Sequence, residues 1–388
     1  MRIGWVIPWV HGVGGNKTVF SLCRELSNQG HDVELLCHTA QREHIPEVRN
    51  AIGGAALTVS FGNDARYTGP WSDLKWQVSR HRDRQLAEAV YRSHLRRSFD
   101  FVILVGNEGK RFGQELRRIL GEQCPLLGIS VMELIDHSYL LRRERPHAYA
   151  RLLLAPLYPA VHWAWAKYLE SYDFLCANSI WTSEICEYLY GARCSHILIS
   201  IPEEAYQTYG GLGDRRPESY VAVPTVSIGA SEELLLKELR SLELPLLSYG
   251  PVGLPGIEHL GYLSEQRMRE VVRNAACTLF LFDYEGLGLI PFESLALGTP
   301  VVTLPKLAVL RQWEGNRFVD FQSSIPGIAA TCRRWIERPP TPSDRKEAVQ
   351  SVDFYRASLA ARRLIEFLET LRIRPAMQRA QKTRAVRT

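Results

Sequence analysis

The chain has 388 residues, 46% of them hydrophobic and 23% charged, with a formal net charge of +5. That length exceeds one ordinary core and suits two domains. The longest apolar runs, such as "FVILVG" and "CTLFLF", are of strand length and too short to cross a bilayer.

"RIGWVIPWV" near the N-terminus carries no long apolar region or small-residue cleavage site, so no signal peptide is expected. It reads instead as a first strand, followed by the loop "HGVGGNK", the helix "TVFSLCRELSNQG" closed by Gly30, and the strand "HDVELLCH". "DFVILVG", "PLLGISVMELI" and "YDFLCANS" continue the strands of this half. Between them, "RLLLAPLYPAVHWAWAKYLE" (151–170) reads as a core helix, or as an aromatic membrane-surface patch beside the basic "LRRERPH". "PEEAYQTYGGLGDRRPES" is rich in Gly, Pro and charge, as a linker should be.

A second series follows, in which strands "SYVAVPTVSI", "PLLSYG", "IEHLGYL", "CTLFLFD" and "PVVTL" are interleaved with helices "SEELLLKELRSL" and "SEQRMREVVRNA". A last helix, "DFYRASLAARRLIEFLETLR", precedes a tail with six basic residues and no acid after Glu369. Alternating short strands and amphipathic helices predict α/β architecture with parallel sheets. The expected layout is a Rossmann-like domain over 1–200, a hinge at 201–219 and a second Rossmann-like domain over 220–350. The segment 351–388 would be a helix packing back on the domains plus a basic tail. Eight cysteines without CxxC or metal-ligand spacing point to reduced thiols in a cytosolic protein.

"YEGLGLIPFESLALGTPVV" places Glu285 and Glu293 on either side of Gly286, Gly288 and Pro291. The preceding strand brings this stretch to the carboxyl edge of a parallel sheet, where ligands bind. Glycines admit a ligand to the backbone. Pro291 suits the first helical position, which would make Glu293 the third. Free N–H groups around Leu289 and Ile290 would face an anion, aided by the helix dipole. An ionised carboxylate accepts hydrogen bonds from two neighbouring hydroxyls. The stretch is thus a phosphate cradle between two diol-binding acids, as a nucleotide-sugar requires. Singly, each acid also reads as an ordinary helix-start or loop carboxylate.

"EGLGLIPFESLALGTPVV" resembles the E-x7-E signature of retaining GT-B glycosyltransferases of family 4, and weaker similarity runs along most of the chain. That resemblance implies a GT-B fold, two Rossmann-like doubly wound domains facing a central cleft, with the acceptor on the N-terminal side and the donor in the C-terminal domain. It implies Glu293 on the ribose, Glu285 on the donor sugar at the reacting face, and amides of Gly286, Leu287, Gly288, Leu289 and Ile290 on sugar and diphosphate. Gly14 and Gly15 match the N-terminal loop over the diphosphate. His137, in "ELIDHSYL", sits where a donor-contacting histidine often stands, although the usual His-Asp order is reversed as Asp136-His137.

One departure concerns the leaving group. The family's Arg and Lys after the first strand of the second domain are missing from "VAVPTVSIGASEELLLKELRS", where Lys237 stands too deep in the helix. Diphosphate contacts are then sought at Lys17, Lys110, Arg111 or the helix start at Ser227. The expected activity is metal- and cofactor-independent transfer of a hexose-type sugar, with retention, from a UDP-sugar or GDP-sugar. The acceptor would be a saccharide, a lipid-linked glycan or a small natural product. The alternative is a catalytically weakened GT-B protein acting as partner or scaffold. The location would be cytoplasmic or peripheral at the cytoplasmic membrane face, with no nucleic-acid partner. A dehydrogenase fits less well, because Gly12-Val-Gly14 lacks the third glycine of its fingerprint and the second strand ends without a ribose-binding acid, and a P-loop fails because no Ser/Thr follows Lys110.

Overall fold

The computed structural model describes residues 1–10, 16–40, 45–61, 80–106, 111–131, 158–207, 218–225, 230–241, 243–281, 288–305 and 312–385. Two compact units emerge, Met1–Ser200 with Ala357–Thr388, and Ile201–Arg356.

The first unit opens with strand β1 (Arg2–Val10), helix α1 (Lys17–Asn28), β2 (Asp32–Ala40), α2 (Ile45–Ile52) and β3 (Ala56–Phe61). It continues through α3 (Arg80–Arg96), β4 (Phe101–Val105), α4 (Phe112–Leu120), β5 (Leu126–Val131), α5 (Tyr158–Leu169), β6 (Phe174–Ala177), α6 (Ile180–Tyr190) and β7 (His196–Ile197). The strands lie in the order β3-β2-β1-β4-β5-β6-β7, every pairing parallel. A central strand of such a sheet is covered on both faces, and β4 is accordingly buried along its whole length.

The second unit contains α7 (Glu203–Gln207), β8 (Val221–Pro224), α8 (Ala230–Ser241), β9 (Leu246–Tyr249), β10 (Glu258–His259), α9 (Glu265–Asn274) and β11 (Cys277–Phe280). After these come α10 (Leu289–Ala296), β12 (Val301–Thr303), β13 (Val319–Phe321), α11 (Ile325–Glu337) and α12 (Pro342–Val352). The strand order is β10-β9-β8-β11-β12-β13, again all parallel. Renumbered from the unit's first strand this is 3-2-1-4-5-6, the doubly wound order whose direction reverses between the first and fourth strands. The switch point therefore falls between the ends of β8 and β11.

A long helix, α13 (Ala357–Ala385), returns to the first unit and buries Ala361, Leu364 and Leu368 in the core with Phe20, Leu22 and Phe174. Asp353–Tyr355, at the predicted start of this helix, is instead a separate 3-10 turn. Residues 203–207, within the predicted linker, form α7, where Tyr206 donates its hydroxyl to the Val352 carbonyl at 2.7 Å. On α5, Trp165 is buried and stacks on Tyr190, whereas Trp163 is 66% exposed with the Lys167 ammonium 5.8 Å from its ring. Among the described residues no helix is long and apolar enough to cross a membrane.

His196 stacks on Phe367 of α13 at 5.0 Å. Burial, helped by Arg363, pushes its pKa down to about 4. The folded chain thus keeps a neutral imidazole where the unfolded chain takes up a proton below pH ~6.5. This contribution to stability is present above that pH and is lost as pH falls towards 4, at a cost of up to roughly 3 kcal/mol. Urea denaturation at pH 7, 5.5 and 4 should show the decline, and His196→Asn should make it shallower. Equal slopes in the two proteins would refute the assignment.

Candidate functional site

The site starts from β11, whose residues Cys277 to Phe280 are all buried. Residues 282–287 lie outside the described residues, and with them Glu285, Gly286 and Leu287. The chain is described again at Gly288, which caps α10 with φ 67° and ψ 84°. That backbone angle favours glycine, and a second constraint selects it too. A Cβ placed here would stand 2.9 Å from Phe280 Cζ and 3.5 Å from Pro291 Cδ. The helix therefore begins at Leu289, earlier than the sequence predicts.

Pro291 is thus the third helical residue and Glu293 the fifth, a correction to the predicted first and third positions. Proline tolerates the shift because the first-turn N–H groups have no intrahelical partner to lose. The N–H groups of Leu289 and Ile290 remain at the helix start, where an anion is favoured.

The buried face of α10 fixes its orientation. Ser294 donates to Thr278 Oγ1 on β11 at 3.0 Å, and Phe292 packs 4.3 Å from the Trp313 ring and 4.9 Å from that of Tyr355. Glu293, between these two buried residues, is only half-buried. It lies near enough to Tyr249 to help burial raise that phenol's pKa. Tyr249 ends β9, two strands from β11 with β8 between them. Glu293 is thus within electrostatic reach of the end of β9.

Thr225 follows β8 at the same place, fully buried, with its N–H and its hydroxyl both donating to the Tyr249 carbonyl at 2.8 and 3.0 Å. These bonds hold the ends of β8 and β9 together. Sequence reasoning passed over Tyr249, although its place at the close of "PLLSY" was a usable signal.

The cationic candidates are scattered. Ser227 and Lys110 lie outside the described residues, as do Gly14, Gly15 and His137. Lys17 is the half-buried first residue of α1. Arg111 precedes α4, where its Nε donates to the Tyr168 hydroxyl at 2.9 Å and its backbone N–H donates to Asp83 at 3.1 Å. Asp83 also accepts from Arg82 at 2.8 Å in a pair almost wholly buried. Burial dominates the Asp83 pKa and holds it above the usual carboxylate range, against the pull of both arginines. Arg111 is therefore built into the packing of α3, α4 and α5. Lys237 is exposed at the eighth position of α8, remote from its start. Among the described residues no group of His, Cys, Asp and Glu could hold a metal ion.

Residues 252–351 match the family model described as Glycosyl transferases group 1. A comparison with curated proteins finds no match. Among solved structures the chain is similar to sucrose-phosphate synthase from Thermosynechococcus elongatus, at 14% identity and a TM-score of 0.67, over 96% of this chain and 99% of that one. It is similar to Anabaena HepE in complex with UDP, at 12% identity and a TM-score of 0.64, over 95% and 100%. The N-terminal domain of Candida albicans trehalose-6-phosphate phosphatase matches at 11% identity and a TM-score of 0.65, over 95% and 96%. Residues 252–351 thus carry the Glycosyl transferases group 1 region, within a chain that has the two-sheet GT-B fold of glycosyltransferases.

Proposed function

We propose that the chain is a retaining glycosyltransferase that moves a hexose-type sugar from a nucleotide-diphosphate sugar to a saccharide, lipid-linked or small-molecule acceptor. The observation that carries this reading is the placement of Glu293 on a helix opened by Gly288 beside the switch point of the second sheet. A carboxylate there can accept from both ribose hydroxyls while the helix start receives the diphosphate. HepE, of the same fold, was crystallised with UDP and with UDP-glucose, which supports a uridine nucleotide as the first ligand to try. Glu285 would hold hydroxyls of the transferred sugar. Eight free thiols, all buried except the half-buried Cys124, support a reducing cytosolic location.

The test is a thermal-shift panel of UDP, GDP and ADP with their glucose conjugates. One nucleotide series at a hundredfold its Kd should stabilise the chain by about 2.7 kcal/mol, a rise in Tm of roughly 5–10 °C. No shift with any of them at millimolar concentration would end the reading.

A second reading is a nucleotide-binding protein with weakened turnover. The stretch from Val221 to Lys237 offers no Arg or Lys to a departing diphosphate before the exposed Lys237, and such charge stabilisation is a large catalytic factor. A nucleotide that stabilises the chain without any hydrolysis or transfer of its sugar would favour this reading.

A further inference from the structure

The edge of the first sheet at which its strands begin carries a cleft of about 720 Å³. It lies between the end of α3, the chain entering β4 and β5, and Arg372 of α13, all within the first unit. Ligands of doubly wound sheets gather at the carboxyl ends of the strands, so this cleft is separate from that edge. Its volume falls within the roughly 300–1,000 Å³ of small-molecule sites.

An acid stands at the start of several strands here. Asp32 opens β2, Asp100 precedes β4 and Asp173 precedes β6. Asp100 accepts the Arg2 N–H at 2.8 Å, and Asp173 accepts the Leu127 N–H at 2.7 Å, so both carboxylates are oriented by a neighbouring strand. Arg97 closes on Asp32 at 2.6 Å, and Arg117 closes on Asp173 at 2.8 Å. Asp100 differs. Its ion-pair partner is Arg372 at 3.6 Å, beyond the roughly 2.7–2.9 Å of a closed charge-assisted bond. Both side chains line the cleft, an acid and a base that do not satisfy each other.

The rest of the lining is uncharged. His94 Nδ1 accepts the Phe99 N–H at 3.1 Å, and burial, helped by Arg2, lowers its pKa, which keeps the imidazole neutral at pH 7. Buried Phe99 and Pro125 and half-buried Leu126 supply apolar surface. The cleft thus presents one negative and one positive group side by side, with apolar walls. A plain anion would meet Asp100 beside Arg372, and a plain cation would meet the reverse. A molecule that carries both charges close together on an apolar body matches both.

We propose that this cleft binds a free amino acid with a large apolar side chain. Its carboxylate would take the planar fork of Arg372, which suits bidentate contact, and its ammonium would take Asp100. Its side chain would lie against Phe99, Pro125 and Leu126. The site is independent of nucleotide binding by the second unit, and an occupant would tie α13 to the base of the first sheet.

Isothermal titration of the full chain at pH 7 tests this with L-phenylalanine and L-leucine. Glycine, phenylacetate and phenethylamine serve as probes that lack the apolar body, the ammonium or the carboxylate. At least one of the two amino acids should bind, and each truncated probe should bind roughly tenfold more weakly. Arg372→Ala and Asp100→Asn should each weaken the amino acid roughly tenfold without changing Tm. The open, exposed pair adds little stability, and the amide oxygen of asparagine can still accept the Arg2 N–H. Cys124 reports where the ligand sits, because it lines the cleft and is the one cysteine of eight that is not buried. Burial pushes its thiol up to about 11, so alkylation by iodoacetamide is slow, and a ligand at ten times its Kd should slow it roughly tenfold further. No heat and no protection with either amino acid at millimolar concentration overturns the proposal. Phenylacetate or phenethylamine binding as tightly as L-phenylalanine overturns it too, since one of the two charges would then be idle. Binding that both variants leave intact, or that leaves Cys124 unprotected, places the amino acid elsewhere and has the same consequence.

Discussion

Replacing Glu293 with alanine is expected to weaken UDP or GDP binding by roughly ten- to a hundredfold, with little change in Tm. The estimate follows from the site. Hydrogen bonds to a charged group contribute about 1.5–3 kcal/mol each, and a ribose presents two hydroxyls to one carboxylate. At 1.4 kcal/mol per decade, losing part of both bonds gives the stated range. The fold should tolerate the change. Glu293 is half-buried, alanine is the best helix former, and the packing of α10 rests on Phe292, Ser294 and Leu295 on its other side.

Glu285→Ala should behave differently. It should leave the affinity for the sugar-free nucleotide within about twofold while lowering turnover by roughly a hundredfold or more, the scale of losing one group at the reacting centre. Titration of UDP or GDP and a transfer assay on the same preparations separate the two roles. If Glu293→Ala titrates like wild type while Glu285→Ala loses nucleotide affinity, the assignments are exchanged. If neither changes binding or turnover, the site lies elsewhere.

What the sequence made legible, and what it did not, follows from which forces act locally. The strand before the E-x7-E stretch reads directly from "CTLFLF", because a strand buried on both faces must be apolar without interruption. By contrast, α7 was not legible, since it is held by a hydrogen bond from Tyr206 to Val352 and by the Glu203–Arg356 ion pair, far apart in sequence. Strand β13 was missed because three residues paired to β12 carry no periodicity long enough to recognise. The misplaced start of α10 has the same origin. Proline prefers the first helical position when only local geometry counts, but here the ring of Phe280 sets the turn.

Gly288 gives the second large effect, and it is on stability. Read from sequence, this glycine clears the way for a ligand. In the fold it is also buried, at φ 67°, with the space for a Cβ taken by Phe280. Gly288→Ala should therefore incur two separate costs, about 1–2 kcal/mol for a left-handed backbone and about 1–3 kcal/mol for overpacking against the Phe280 ring. Gly261 isolates the first of these, because its φ is 71° and nothing lies within 4 Å of its Cβ position. Chemical denaturation of both variants should thus show Gly261→Ala destabilised by about 1–2 kcal/mol and Gly288→Ala by roughly 2–5 kcal/mol. The double variant Gly288→Ala/Phe280→Leu should recover part of the difference, since the smaller side chain removes the close contact. Gly288→Ala should also bind nucleotide less tightly below its melting range, because a shifted first turn moves the amides of Leu289 and Ile290 together with Glu293. Equal stability of the two single variants would mean that the Phe280 ring yields freely, and the start of α10 would then be set by backbone preference alone.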